Sequence, residues 1–221
     1  MIRSTLRTFC NSCCRIECED YDINPNRPFE TYDCDIVSGS GFLISATHLS
    51  HVSNDRDCRF ILTNFHVVEG CTGDHDVKIF FADTGKVSIP GRVIRVFPQL
   101  DLAVIVVNEK LIAKPSLPIS KHVTKKFSRA YALGYPLCTS QVQISEGTIS
   151  GWDGEHMQLN ISINAGNSGG PILVEDDNGD LVVTAVSVAS AGSHGGELIA
   201  AIAFGIPLMF FDTYQSCIPR T

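Results

Sequence analysis

From residue 35 onward the chain is built of short apolar runs, rich in Val, Ile and Phe, separated by Gly, Asp and Asn. Runs of this length bounded by turn formers predict strands, here at 36–45, 60–64, 77–81, 87–97 and 102–107. A polar stretch at 108–126 carries Pro115 and Pro118, and a second set of runs follows at 129–133, 142–150, 156–163, 171–174, 181–189 and 198–206. Two sets of short strands on either side of a linker predict an all-β chain of two barrels. No period of roughly 20–50 residues recurs, which excludes a solenoid or a propeller. Asp177-Asn178-Gly179-Asp180 reads as a hairpin turn. The longest apolar run, 198–211, holds Pro207 and is too short to cross a bilayer, so it is expected to be a buried strand entering a short C-terminal helix. Residues 1–34 are polar, rich in cysteine and broken by Pro25 and Pro28, and are expected to be an extension with little regular structure. The expected units are therefore this extension, a first barrel at 35–115 and a second at 116–221.

Composition changes this picture in two places. The 221 residues carry a net charge of -7, which argues against a nucleic-acid or anionic-membrane partner. Nine are cysteines, and Cys10, Cys13, Cys14, Cys18 and Cys34 crowd the first 34 positions. An odd count leaves at least one thiol unpaired in a monomer. The spacing of Cys10, Cys13, Cys14 and Cys18 is open to a structural metal, to disulfides or lipidation, or to unliganded thiols. The N-terminus has no apolar core of secretion-signal length, and the sequon Asn160-Ile161-Ser162 falls on a strand beside the candidate site. An intracellular, reducing environment with mostly free thiols is expected.

Three segments carry chemistry. In Asn164-Ala165-Gly166-Asn167-Ser168-Gly169-Gly170-Pro171 a serine lies in a glycine-rich turn, where glycine permits positive φ and close backbone approach. Such a turn can aim the N–H groups of Gly166 and Ser168 at one point, as a developing oxyanion requires. Leu62-Thr63-Asn64-Phe65-His66-Val67-Val68 sets a histidine just after a strand. Leu100-Asp101-Leu102-Ala103-Val104 sets one carboxylate at the mouth of an apolar strand, where a buried charge needs a partner such as a histidine Nδ1–H. Each alone is more often a packed or capping residue. Together, in the chain order His, Asp, Ser, they form one known solution to acyl transfer. His66 would activate Ser168, and Asp101 would orient His66.

These segments are joined by Ser38-Gly39-Ser40-Gly41-Phe42-Leu43-Ile44, Leu133-Gly134-Tyr135-Pro136, Glu146-Gly147-Thr148-Ile149-Ser150-Gly151 and Ala203-Phe204-Gly205-Ile206-Pro207. With them the chain resembles the chymotrypsin-fold serine peptidases, and among those the HtrA/Deg-like branch, over about residues 35–208. The resemblance implies two six-stranded antiparallel β-barrels with a cleft between them. It also implies a triad of His66, Asp101 and Ser168 and an oxyanion hole at Gly166, Asn167 and Ser168. Secreted trypsin-like enzymes carry an aspartate at the position of Asn167, paired with a freed N-terminal ammonium. A neutral Asn makes no such ion pair, so activation through a buried N-terminus is not expected; HtrA-like members share this Asn. Few residues follow Pro207, so no PDZ domain is expected after it. The cysteines do not follow the secreted disulfide framework, although Cys58 and Cys71 flank His66 and a bridge between them is open.

By the same resemblance Ser162, six residues before the nucleophile, lies at the base of the primary specificity pocket, with walls from Ser187, Val188, Ala189 and Ala203. None is charged, so cleavage after small to medium apolar residues such as Val, Ala or Leu is expected, with loose preference. His194, among Gly192, Gly195 and Gly196, reads as a loop residue. The substrate is a polypeptide lying extended as an added strand near 187–189. The mechanism calls for no metal or organic cofactor, and activity should rise from acid to neutral pH as His66 loses its proton. Beside an active endopeptidase, a catalytically silent binding module and a protease dedicated to its own chain or a polyprotein stay open, as does the oligomeric state.

Overall fold

A computed structural model of the chain describes residues 2–21, 34–49, 58–71, 76–83, 87–108, 114–122, 124–154, 156–194 and 197–208. Among these, one helix, α1 (Ile2–Cys10), precedes twelve strands. The first six are β1 (Cys13–Tyr21), β2 (Cys34–Ile44), β3 (Cys58–Thr63), β4 (Val77–Phe81), β5 (Ile89–Phe97) and β6 (Leu102–Asn108). They close a barrel in the order β1-β2-β3-β6-β5-β4, every pairing antiparallel. The second six are β7 (Arg129–Gly134), β8 (Gln143–Asp153), β9 (His156–Asn160), β10 (Pro171–Glu175), β11 (Leu181–His194) and β12 (Glu197–Pro207). They close as β10-β11-β12-β9-β8-β7, again antiparallel. The two-barrel all-β fold expected from the apolar runs is the fold observed. The helix expected after Pro207 lies outside the described residues. β11 continues to His194, so that residue ends a strand instead of sitting in a loop.

The opening segment departs from expectation. Residues 13–21 form β1, which pairs with β2 on one side and β4 on the other and so closes the first barrel. The physical reason is a period-two pattern in which cysteine plays the apolar residue. Cys14, Ile16 and Cys18 face the barrel interior at 0%, 0% and 1% exposure, alternating with Arg15, Glu17 and Glu19. Ahead of it, α1 turns Ile2, Leu6, Phe9 and Cys10 onto the core at near-helical spacing.

The strands between the barrels are buried on both faces. Leu43, Ile61, Ala103 and Ile105 fill the interior of the first barrel. Their neighbours Phe42, Ile44, Phe60, Leu62 and Val104 point the other way, into a cluster shared with Leu133, Leu173, Val183 and Val186 of the second barrel. The second barrel's interior is lined by Ala130, Ile149, Met157, Leu159, Ile172 and Ala185. Each large side chain so buried contributes roughly 1.5–3 kcal/mol, so the shared cluster holds the two barrels as one body.

The cysteines resolve along the same lines. Cys71 bridges Cys18, with the Cα atoms 5.8 Å apart, and not Cys58. β1 runs beside the Glu69–Cys71 turn, whereas Cys58 starts β3 at the end remote from that turn. Cys13 joins the cluster between the barrels and Cys14 the interior of the first barrel, so the two adjacent thiols face opposite ways and share no site. Burial raises the pKa of both.

Candidate active site

The β3–β6 ladder positions the first two residues. Thr63 pairs with Ala103 at its end, and both chains leave the barrel together, one into Asn64-Phe65-His66 and the other back to Asp101. Asp101 closes the Pro98–Leu100 turn in the left-handed conformation, with φ 50°, a region aspartate tolerates better than most side chains. Its carbonyl accepts from the Phe65 N–H at 3.1 Å and from Asn64 Nδ2 at 2.9 Å. Its carboxylate accepts twice from His66: Oδ1 from the backbone N–H at 3.0 Å, and Oδ2 lies 2.7 Å from ring Nδ1. An acceptor at Nδ1 selects the tautomer whose Nδ1 carries the proton and leaves Nε2 as the base. The His66 side chain is 43% exposed, so the base is reachable from solvent.

The serine comes from the other barrel, in the loop that enters β10. Gly166 and Gly169 have φ of +92° and +88°. A Cβ at Gly169 would stand 2.1 Å from Ser40 O and 2.3 Å from Thr63 Oγ1, so glycine alone fits there. That closeness brings the Ser168–Gly169 turn down on the end of β3, three residues before His66. Gly39 makes the same junction: a Cβ on it would meet both Val67 and Ser168 O. The loop's own bonds set its shape. The Asn167 N–H donates to Asn164 O at 3.0 Å, the Gly170 N–H to Asn167 O at 2.9 Å, and the Leu137 N–H to Ala165 O at 2.7 Å. Asn167 thus spends its N–H inside the turn, and its side chain lies over Gly134. Ser168 is 6% exposed.

The expected pocket residues divide. Ser162 is exposed and Val188 half-buried on β11. Ala189 pairs with Ala203, which is taken into the core of the second barrel. Ser187 is fully buried, and its hydroxyl donates to Asn167 O at 2.6 Å and Gly170 O at 3.1 Å, so it braces the serine loop. Sequence reasoning quoted Ser40 and Asn64 within motifs without giving them a task. Both are 0% exposed polar residues at the junction, each next to an apolar strand segment. Tyr135, also buried, donates its hydroxyl to Cys13 O at 3.2 Å, and burial raises its pKa.

Comparison with known proteins agrees with the two-barrel fold. The family model of the trypsin-like peptidase domain matches residues 39–183. A protein of Chlamydia pneumoniae described as a probable periplasmic serine endoprotease, DegP-like, is 32% identical over 188 residues, covering 77% of this chain and 32% of that protein. The magnetosome formation protease MamE of Magnetospirillum gryphiswaldense is 27% identical over 163 residues, 69% of this chain and 20% of that one. The chain thus spans about a third or less of the length of these relatives.

Proposed function

The chain belongs to the trypsin-like peptidase family, of HtrA/Deg-like type, and on the premise of a serine endopeptidase we propose that Ser168, His66 and Asp101 form its triad. The observation that carries this reading is the double acceptance by Asp101 from His66, with the Ser168–Gly169 turn seated on the same strand end. Ser168 Oγ attacks the scissile carbonyl while His66 Nε2 takes its proton. The resulting oxyanion is met by the N–H groups of Gly166 and Ser168, Asn167 being committed to Asn164. His66 then protonates the leaving amine, and water resolves the acyl-enzyme by the same path in reverse. Asp101 stabilises the imidazolium formed between the two proton transfers. The substrate binds extended along β11 near 187–189, with its preceding side chain between Ser162 and Val188, neither of which carries a charge to pair with Lys, Arg or Glu. Cleavage after Val, Ala or Leu follows.

The test is covalent labelling by a fluorophosphonate. Wild-type protein should label once per chain, and Ser168→Ala should not label at all while keeping its thermal midpoint. Labelling of Ser168→Ala at the wild-type rate would show another nucleophile and end this assignment.

A further inference from the structure

A peptidase of this fold needs something to order the loop that carries its nucleophile, and Asn167 offers no charge for an ammonium to pair with. We propose that Ser40, on β2 of the first barrel, takes that part: it is a positioning residue that sets the oxyanion hole of the second barrel. The proposal rests on Ser168 being the nucleophile and Gly166 N–H being part of the hole.

Ser40 is 0% exposed, and all four of its hydrogen-bonding groups are committed at the junction of the barrels. Its N–H donates to Ser168 O at 2.7 Å. Its hydroxyl donates to Gly166 O at 2.6 Å and accepts from the Tyr135 N–H at 2.9 Å. Its carbonyl accepts from the Thr63 hydroxyl at 2.7 Å. One residue therefore grips the carbonyls of both Gly166 and Ser168, the residues on either side of Asn167. Gripping Gly166 O fixes ψ of Gly166, which as a glycine is otherwise free to turn.

The adjoining peptide is held from the other side. The Leu137 N–H donates to Ala165 O at 2.7 Å, and in a trans peptide the Gly166 N–H must then point the opposite way. With the carbonyls before and after Gly166 both engaged, its N–H has little freedom to turn. The close approach is built in: a Cβ at Gly134 would stand 2.9 Å from Ser40 Oγ and 2.5 Å from Asn167 Oδ1. The Ser40 hydroxyl acts only through Gly166 and touches no reacting atom, so its loss should slow the bond-forming step and leave probe binding nearly unchanged.

Ser12 is a matched control. It is also 0% exposed, and its hydroxyl donates to a backbone carbonyl, Pro115 O, at 2.7 Å. Ser12→Ala and Ser40→Ala each remove one buried serine bond, and only the second bond reaches the nucleophile loop. The experiment is fluorophosphonate labelling with the maximal rate and the half-saturating probe concentration measured separately. Ser40→Ala should lower the maximal rate about 10–100-fold, somewhat less than loss of an oxyanion donor itself, with half-saturation moved less than about threefold. Ser12→Ala should label at the wild-type rate. Ser40→Cys, similar in size but a weak donor, should fall between wild type and Ser40→Ala. Should Ser40→Ala fail to fold, Ser40→Cys against Ser12→Cys carries the comparison. Equal maximal rates for the Ser40 and Ser12 variants would overturn the positioning role while leaving the triad intact. Labelling that survives in Ser168→Ala would remove its premise, and the role with it.

Discussion

Asp101 accepts both the ring and the backbone N–H of His66, so one carboxylate holds the imidazole in tautomer and in place. An amide at this position would keep the shape and change the chemistry. Its NH2 can donate to Nδ1, which favours the tautomer with the proton on Nε2, the wrong nitrogen for a base. In the Ser-His-Asp template this change costs about 10⁴-fold in kcat. Asp101→Asn is therefore expected to lose about that much turnover on a peptide ester with valine before the cleaved bond, with KM little changed. A loss under tenfold would mean that Asp101 serves the turn and not the base.

Among the elements, β1 shows where sequence and structure part. Strands rich in Val and Ile announced themselves, and β4 was placed to the residue. β1 was not, because its inward positions are Cys14, Ile16 and Cys18, and a cysteine-rich stretch reads first as chemistry. The residues of the proposed triad drew attention because they sit in short motifs at strand ends, and the structure brings His66 and Asp101 into hydrogen-bond contact. Ser187 was read as a pocket wall, and its buried hydroxyl also braces the serine loop, a role its spacing did not announce; which way a strand residue faces depends on a bulge in the β10–β11 pairing, between Ile172 and Leu173. The Cys18–Cys71 bridge ties β1 to the turn that follows His66 across 53 residues. Closing a loop of that length contributes about 4 kcal/mol in the chain-entropy account. Cys18→Ser should lower stability by about that amount in a urea titration, and dithiothreitol should do the same to wild type. A variant within 1 kcal/mol of wild type would mean that the bridge adds little to a barrel already closed.

In the whole molecule the proposed catalytic groups are split between two barrels that share one apolar cluster. Neither barrel holds a complete site, so the alignment of His66 with Ser168 is only as firm as that cluster. Phe42, 0% exposed on β2, lies in it two residues from Ser40. Phe42→Ala is expected to cost about 3–5 kcal/mol and to lower a single calorimetric transition. Two separated transitions in the variant would show that the barrels fold independently.

Closure of the sheets has a consequence for survival under the proposed activity. A peptidase that receives its substrate as an added strand needs backbone whose N–H and C=O groups are still available. In each barrel every described strand is paired on both sides over part of its length, and β11 beyond its β10 pairing is still held along one side by β12. For one copy to digest another there, a strand must first leave its ladder. The rate of self-digestion within the barrels is then governed by the rate of local opening, and it should track stability more closely than catalytic power.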